Sequence, residues 1–294
     1  MLPITTAKPD EWVAAFEHAL ALVPEIDRAA RVAQCVSLLQ SGVFDPQGIF
    51  VTREGGRVRA QVCVPLAGAA CLFWLPTTSG PVAEALVQAG LDWCRTRGCK
   101  IAQAQAGANE MGRADALIRR GFRAIARLCH MERSLDDLPA KVARDLCIVH
   151  FEPAIAREFA ATLERTYQDT LDCPELNGRR TIVEILEGHQ GQGRFDPHFW
   201  WLAYVNNQPA GVAMLAEMPD GLTWELAYLG IVPEFRRHGI GRAMTVHALH
   251  ALRATSAMRL TLIVDIRNQP ARHLYESLGF VATETSTALL HFLD

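Results

Sequence analysis

The fold is decided by a strand, a turn and the start of a helix within the stretch Leu229-Gly230-Ile231-Val232-Pro233-Glu234-Phe235-Arg236-Arg237-His238-Gly239-Ile240-Gly241-Arg242-Ala243. The apolar run up to Val232 predicts the strand, and the residues after Gly239 predict the helix. Because the first N–H groups of such a helix lack partners, they point at whatever lies above the turn. The glycines permit close approach of the backbone, and Arg236, Arg237 and Arg242 add positive charge. The stretch therefore predicts a cradle for a pyrophosphate group.

Other phosphate-binding motifs do not fit the same residues. A Walker loop requires Gly-Lys followed by Ser or Thr, and a dinucleotide fingerprint requires Gly-x-Gly-x-x-Gly after a first parallel strand. Neither pattern occurs between Leu229 and Ala243. On this segment alone, an ordinary basic turn stays open, in which Gly239 and Gly241 only ease the joint between strand and helix.

Outward from this stretch, one pattern of predicted elements occurs twice along the chain. Each copy has amphipathic helical sequence, a hairpin, a third strand that ends at a proline, a helix, a strand, a short helix and a last strand. The first copy spans 10–39, 49–52, 58–64, 70–75, 82–97, 101–104, 113–120 and 124–131, and the second spans 154–166, 180–188, 200–205, 209–215, 224–232, 239–253, 260–264, 270–278 and 288–293. Pro76 and Pro233 are 157 residues apart, and Phe122 and Phe280 are 158 apart. This constant spacing indicates an internal duplication.

Two domains of the α+β (mixed α/β) class follow from this pattern. The length of 294 residues is about twice that of a usual domain of ~150 residues. Each copy mixes helices with strands joined by tight turns, which predicts a mainly antiparallel sheet. Because Asp136-Asp137-Leu138-Pro139 breaks the pattern, we place the join within 136–144 and the domains at 1–140 and 146–294.

Composition argues against several classes of partner and site. The formal charge is −3, and the 29 basic and 32 acidic residues are interspersed, so we expect neither nucleic acid nor a membrane as partner. The eight cysteines form no C-x-x-C pair and have no histidine at zinc-ligand spacing, so we expect buried thiols and no metal. The N-terminal residues show no secretory pattern, and together with the free thiols they predict a cytoplasmic protein.

Two motifs resemble those of the GNAT acetyltransferase superfamily. Arg236-x-x-Gly239-x-Gly241 is similar to its acetyl-CoA motif, R/Q-x-x-G-x-G/A, and the segment from Asn268 to Phe280 is similar to its second block, N-x-x-A-x-x-L-Y-x-x-x-G-F. The resemblance covers about 148–294 by motif and 1–135 by element order. It implies two tandem GNAT-like domains, each a twisted, mainly antiparallel sheet flanked by helices. Within the superfamily, the tandem layout and the strand before Val232 resemble those of the mycothiol synthases.

The resemblance implies acetyl-CoA as the cosubstrate and identifies the residues that would hold it. The pyrophosphate would lie at the turn and the helix start, formed by Val232, Arg236, Arg237, His238, Gly239, Ile240, Gly241, Arg242 and Ala243. The pantetheine arm would lie along Leu229, Gly230 and Ile231, with an N–H near Leu229 donating to the thioester oxygen. Asn268 matches a residue that contacts the pantetheine amides, although a plain helix cap would have the same sequence.

Acetyl transfer from a thioester to an amine requires a base for the amine and an acid for the departing thiolate. Tyr275 matches the family tyrosine that lies near the sulfur, which implies that its hydroxyl protonates the leaving thiolate; a core tyrosine is the alternative. Glu225 lies eight residues before Pro233, where GNAT members often carry an acidic base. Its neighbours Trp224 and Leu226 would raise its pKa by burial, whereas a surface-facing glutamate is the alternative.

The acceptor is predicted to be a small-molecule amine or a peptide N-terminus. The segment that joins the first two helices of the second copy lines the acceptor groove in similar proteins. Its Tyr167, Asp169 and Asp172 would suit a cationic amine, although a solvated acidic loop has the same composition.

The first copy is predicted to have lost the usual CoA chemistry. It has Pro76-Thr77-Thr78-Ser79-Gly80-Pro81 in place of the arginine and glycine turn, and Pro81 removes an amide at the point where phosphate needs one. Leu117 occupies the position of Tyr275. Two alternatives to an acyltransferase with one active domain stay open: an acyl-CoA sensor without turnover, and a first domain that forms a homodimer.

Overall fold

A computed structural model of the chain describes residues 3–141 and 146–293, which divide into two compact units. The first unit comprises Met1–Ile125 and Ser286–Asp294, and the second comprises Ala126–Thr285. Part of the predicted join, 142–145, lies outside the described residues.

The strands are β1 Thr5–Thr6, β2 Ile49–Glu54, β3 Arg57–Leu66, β4 Ala70–Phe73, β5 Ile101–Gly107, β6 Arg123–Ser134, β7 Cys147–His150, β8 Trp200–Val205, β9 Gln208–Glu217, β10 Thr223–Ile231, β11 Arg259–Asp265 and β12 Val281–Phe292. The α-helices are α1 Trp12–Ala19, α2 Glu25–Gln40, α3 Gly80–Thr96, α4 Asp115–Arg119, α5 Ala156–Thr166, α6 Ile182–Gln190, α7 Ile240–Ala251 and α8 Gln269–Ser277.

In the second unit the strands lie side by side in the order β6, β11, β10, β9, β8, β7. Only β10 and β11 run parallel, and the other neighbours are antiparallel. The hairpin between β8 and β9 turns at Asn206 and Asn207, whose φ angles of 49° and 60° are those of a two-residue hairpin turn that asparagine tolerates. One apolar cluster contains Met244, Leu249 and Tyr275 of α7 and α8, and another contains Phe159 and Leu163 of α5.

The first unit repeats this arrangement. Strands β1 to β5 follow one another in the sheet, with β4 and β5 parallel, and residues Ser286–Phe292 of β12 pair with β5. Helices α3 and α4 contribute to one apolar cluster, and α1 and α2 contribute to another. Leu117, which the duplication aligns with Tyr275, is completely buried. The fold class predicted from the sequence, mixed α/β with two GNAT-like copies, is thus observed.

The compact units and the two copies of the sequence pattern differ in their last strands. Strand β6 ends the first copy, but seven of its residues pair with β11 in the second unit. Strand β12 ends the second copy, but seven of its residues pair with β5 in the first unit. The boundaries 1–140 and 146–294 keep each last strand with its own copy, whereas the backbone pairing assigns each to the other unit.

None of the helices in the described residues is both long and apolar enough to cross a membrane.

Candidate active site

Strands β10 and β11 separate within the second unit and leave a gap. They pair only from Thr223↔Arg259 to Glu225↔Thr261, although β10 continues to Ile231. The N–H of Val232 donates to the carbonyl of Ala210 in β9 (3.0 Å), so the main-chain groups of every second residue before Val232 face β9. By the alternation of an antiparallel ladder, the N–H groups of Leu229 and Ile231 face the gap instead. These two residues therefore offer backbone groups along its edge.

The turn after β10 presents a row of unpaired amides. The described chain provides no acceptor for any of the N–H groups of residues 237–242. Arg237 and Gly239 have φ angles of 65° and 74°, in the left-handed region, which brings successive N–H groups to one side of the turn. Gly239 is the N-cap of α7, and its conformation favours glycine because it has no Cβ.

The three arginines of the turn have different surroundings. The guanidinium of Arg236 donates to the carbonyls of Ile231, Thr166, Gln168 and Asp169, at distances between 2.5 and 3.3 Å. This side chain therefore holds the backbone around the turn, in contrast to its predicted direct contact with phosphate.

The remaining charge at the turn is more open to solvent. Arg237 and His238 are exposed, and the side chain of Arg242 donates to the hydroxyl of Ser277 (2.8 Å). Ala243 and Ile240 are buried beneath the first turn of α7. The cationic side chain most available to a bound anion is thus that of Arg237.

Two glycines on this unit have different reasons for lacking a side chain. A Cβ on Gly230 would lie 2.6 Å from the hydroxyl of Thr166, so α5 can pack against β10 only over a glycine. A Cβ on Gly241 would meet the Leu274 side chain at 3.4 Å, which is an ordinary contact. The close approach of α5 therefore requires Gly230, while Gly241 leaves the helix start uncovered.

Glu225 lies on β10 at the last residue pair with β11. Trp224 and Leu226 on either side belong to the cluster beneath α7 and α8, so Glu225 points to the opposite face of the sheet. The register of β10 against β9 shifts between Leu226 and Tyr228, which brings Tyr228 onto the same face as Glu225. Burial raises the pKa of the Glu225 carboxyl.

Tyr275 of α8 is buried, with its ring 5.6 Å from that of Phe280. Among the described residues its hydroxyl has no hydrogen-bond partner. Burial raises the pKa of this phenol, and the negative charge of Asp172 raises it further. Tyr275 therefore packs in the core, and its role as the acid stays a prediction.

Aromatic groups from three elements lie together on the face of Glu225: Tyr228 of β10, Tyr167 after α5 and His189 of α6. The ring of Tyr228 lies 5.4 Å from that of Tyr167 and 5.4 Å from that of His189, and its hydroxyl is hydrogen-bonded to Thr166 (2.7 Å). Burial lowers the pKa of His189 to about 4, so this ring is neutral at pH 7. We did not predict His189 or Tyr228 from the sequence, because their partners lie in other elements.

Asp172 and Asn268 meet at the end of β11. Asn268 caps α8 by accepting a hydrogen bond from the N–H of Ala271 (3.3 Å), and its Nδ2 donates to Asp172 (3.5 Å). Burial raises the pKa of Asp172. Asp169 is exposed, and within the described residues it makes no hydrogen bond to this pair. Asn268 therefore acts as a helix cap and keeps one amide hydrogen directed toward Asp172.

Three potential metal ligands lie close together at the same place. Donor atoms of Asp172, Cys173 and Asp265 lie within 4.8 Å of one another. Arg267, however, places its guanidinium against Asp265 (2.6 Å) and supplies the positive charge there. Because a cation of the protein already compensates Asp265, this group of residues does not fit a metal ion.

The first unit differs at the equivalent turn. Gly80 has a φ of 70°, Pro81 occupies the first turn of α3, and no arginine lies between Pro76 and Pro81. The side chain of Arg113 instead donates to the carbonyls of Leu75 and Pro76. A cavity of about 390 Å³ opens beside β4, lined mainly by apolar side chains.

The separated strands and the amide-bearing turn define the second unit as a GNAT-type domain. Comparison with known families agrees: the model described as Acetyltransferase (GNAT) family matches residues 163–280. The resemblance to this family that was predicted from the motifs is therefore confirmed for this part of the chain.

The curated relatives of this chain include several mycothiol acetyltransferases. A mycothiol acetyltransferase from Beutenbergia cavernae is 32% identical over 170 residues, covering 54% of this chain and 57% of that protein. Another, from Thermobispora bispora, is 37% identical over 135 residues, covering 44% of each. The chain thus spans about half the length of the curated relatives that it matches.

Solved structures show the same fold over the whole chain. A GCN5-related N-acetyltransferase from Sphaerobacter thermophilus is similar over 100% of this chain and 97% of that chain, with a TM-score of 0.62 and 17% identity. A tandem GNAT protein from the clavulanic acid biosynthesis pathway is similar over 100% and 99%, with a TM-score of 0.57 and 17% identity. At this identity the likeness concerns the fold, and it extends over both copies.

Proposed function

We propose that the second unit transfers an acetyl group from acetyl-CoA to the primary amine of a small molecule or a peptide N-terminus. The observation that supports this most strongly is the row of N–H groups at residues 237–242, which follows a strand that has parted from its parallel neighbour. Amides at a helix start suit phosphate groups, and an open strand edge suits the amide-containing arm of CoA. The first unit, with Pro81 in the equivalent turn, would not perform this chemistry.

In this proposal, the backbone binds most of the cosubstrate. The pyrophosphate lies against the amides of 237–242 and the side chain of Arg237, while Leu229 and Ile231 pair with the pantetheine arm. The N–H of Leu229 donates to the thioester oxygen, which polarises the carbonyl. Arg236 contributes indirectly, because it holds the carbonyls next to the turn.

Acetyl-CoA supplies the acetyl group as a thioester, and side chains of the second unit handle the protons. Glu225 removes the proton from the acceptor ammonium, and its raised pKa makes it a stronger base than an ordinary carboxylate. Tyr275 stays protonated at neutral pH because its pKa is raised, so its hydroxyl can donate a hydrogen bond to the departing sulfur.

The acceptor enters along the segment between α5 and α6. Asp172 supplies negative charge for a cationic amine, Tyr167 supplies an aromatic surface, and the exposed Asp169 adds charge at the rim. The curated relatives are named mycothiol acetyltransferases, so amines related to mycothiol belong in the panel of acceptors.

The test is CoA formation by the purified full chain with acetyl-CoA and a panel of amines, followed by mass spectrometry of the acetylated product. Glu225→Gln serves as the inactive comparison. We expect CoA formation that depends on an amine. Calorimetric binding of acetyl-CoA without product from any amine would contradict the proposal and favour an acyl-CoA sensor.

A further inference from the structure

The segment between α5 and α6 bridges the ends of the two separated strands. On the β10 side, Arg236 donates to the carbonyl of Thr166 at the end of α5 (3.0 Å) and to that of Asp169 in the segment (3.3 Å). It also donates to the carbonyl of Ile231 at the strand end (3.0 Å). The start of the bridge is thus fastened to β10.

The other end of the bridge is fastened to β11 through a buried carboxylate. Asp265, the last residue of β11, is completely buried and accepts a hydrogen bond from the N–H of Cys173 (3.3 Å). Arg267 donates to Asp265 (2.6 and 2.9 Å) and, with both terminal nitrogens, to the carboxylate of Glu175 (2.8 and 3.0 Å). One guanidinium thus joins the strand end to the bridge.

This network determines the position of Asp172. The N–H of Asp265 donates to Asp172 Oδ1 (3.3 Å), and Asn268 donates to Oδ2 (3.5 Å). Cys173, the next residue, has a left-handed φ of 43°, a conformation that a side chain other than glycine adopts only under constraint. Both oxygens of Asp172 therefore depend on a bridge that is held in one conformation.

Arg267 is the member on which the others depend. A single exposed ion pair contributes little, but a guanidinium shared by two carboxylates in paired geometry is stronger and more directional. Without Arg267, Asp265 would remain a buried charge with no cation beside it, and Glu175 would no longer be attached to β11.

We propose that Arg267, together with Asp265 and Glu175, is a positioning residue that sets the affinity for the acceptor amine by fixing Asp172 across the gap. The inference rests on the proposed function, because it assigns Asp172 to the acceptor. None of the three is placed against the acetyl donor, so donor binding should depend on them little.

The test uses the full chain with Arg267→Ala, Arg267→Lys and Glu175→Gln, and Arg259→Ala as the matched control. Arg259 lies at the other end of β11, paired with Asp220 (3.5 Å). We expect Arg267→Ala to raise KM for the amine by about 10- to 100-fold, because small displacements of binding groups have effects of this size. KM for acetyl-CoA should change less than about twofold, and Arg267→Lys should restore part of the loss.

A second readout does not require turnover. Hydrogen exchange at residues 171–176 should be faster in Arg267→Ala and in Glu175→Gln, and unchanged in Arg259→Ala. An unchanged KM for the amine in an active enzyme, or unchanged exchange at 171–176, would overturn the inference. If the wild type acetylates no amine, the proposed function fails, and the exchange measurement still tests the bridge. Glu175→Gln leaves Asp265 paired, so it keeps the test open if Arg267→Ala does not fold.

Discussion

Glu225 is the residue whose environment most directly predicts a pH dependence. Its pKa is raised by burial, so the carboxylate that accepts the proton forms at a higher pH than an ordinary glutamate. We expect Glu225→Gln to lower turnover by about 10²- to 10⁴-fold and to remove the acidic limb of the pH–rate profile. Steady-state rates between pH 5 and 9 measure this, with Glu276→Gln on α8 as the control.

Glu225→Gln lowers turnover, but it should raise the stability of the folded protein at neutral pH relative to wild type. Because the folded-state pKa is above the unfolded value, the native state holds the proton more tightly, and wild-type stability falls as pH rises between those two pKa values. Glu225→Gln lacks this loss, so its Tm relative to wild type should be higher at pH 7 than at pH 4. In the pH–rate measurement, an acidic limb that is the same in Glu225→Gln as in wild type would show that another group is the base.

Tyr275 should affect chemistry without affecting donor binding. Tyr275→Phe removes the hydroxyl but keeps the ring against Phe280, so we expect a fall in kcat of about 10- to 10³-fold with an unchanged Kd for acetyl-CoA. Tyr204→Phe on β8 is the control, because it also removes a tyrosine hydroxyl, one that donates to Glu158 (2.6 Å) and has no role in the proposed chemistry. Unchanged kcat in Tyr275→Phe would leave Tyr275 with a packing role only.

At the residue scale, the sequence predicted where the candidate residues lie in the fold better than it predicted what each side chain contacts. Glu225 and Tyr275 were identified with their neighbours, because strand alternation and a motif fix their positions. The partners of Arg236 are carbonyls up to 70 residues away, and nothing local indicates them. For the same reason, Asp265 and Arg267 were not identified beforehand.

Among the elements, the turn between β10 and α7 has the strictest requirement. Gly239 adopts a φ of 74°, which costs an alanine about 1–2 kcal/mol. We expect Gly239→Ala to weaken acetyl-CoA binding, because it disturbs the row of amides. The control is Gly221→Ala, whose φ is 68° in a turn away from the site, so it carries a similar backbone strain. Equal calorimetric affinities in the two variants would contradict the role of the turn.

Most helix and strand positions were predictable, but β1 and β7 were not predicted, and β12 begins at Val281 instead of the predicted 288. The sequence pattern predicted helical sequence from 10 to 39, whereas the structure has α1 and α2 with a break before Pro24. Proline at this position is the N-cap of α2, since it cannot continue a preceding helix. Elements with a clear boundary residue, such as β10 before Pro233, matched to within one residue.

For the whole molecule, the sequence could not predict that the last strand of each copy pairs within the other compact unit. Both last strands are amphipathic, and their residue patterns do not identify which neighbouring strand each pairs with. The duplication therefore indicated the number and order of elements, while the pairings of β6 with β11 and of β12 with β5 required the structure.

The pairing of β12 with β5 predicts where a substitution near the C-terminus acts. Leu289 is completely buried in the core of the first unit. Leu289→Ala should destabilise that unit by about 2–5 kcal/mol. Hydrogen exchange should quicken in β5 more than in β11, and Leu262→Ala in β11 should give the reverse. Equal exchange in both strands would show that the two units unfold together.

The central claim is that the turn after Val232 binds the pyrophosphate of acetyl-CoA. The most direct test follows the amide resonances of residues 237–242 during titration with acetyl-CoA, compared with pantetheine, which lacks the pyrophosphate. We expect saturable shifts with acetyl-CoA and little change at these residues with pantetheine. Unshifted resonances at a saturating concentration of acetyl-CoA would contradict the claim.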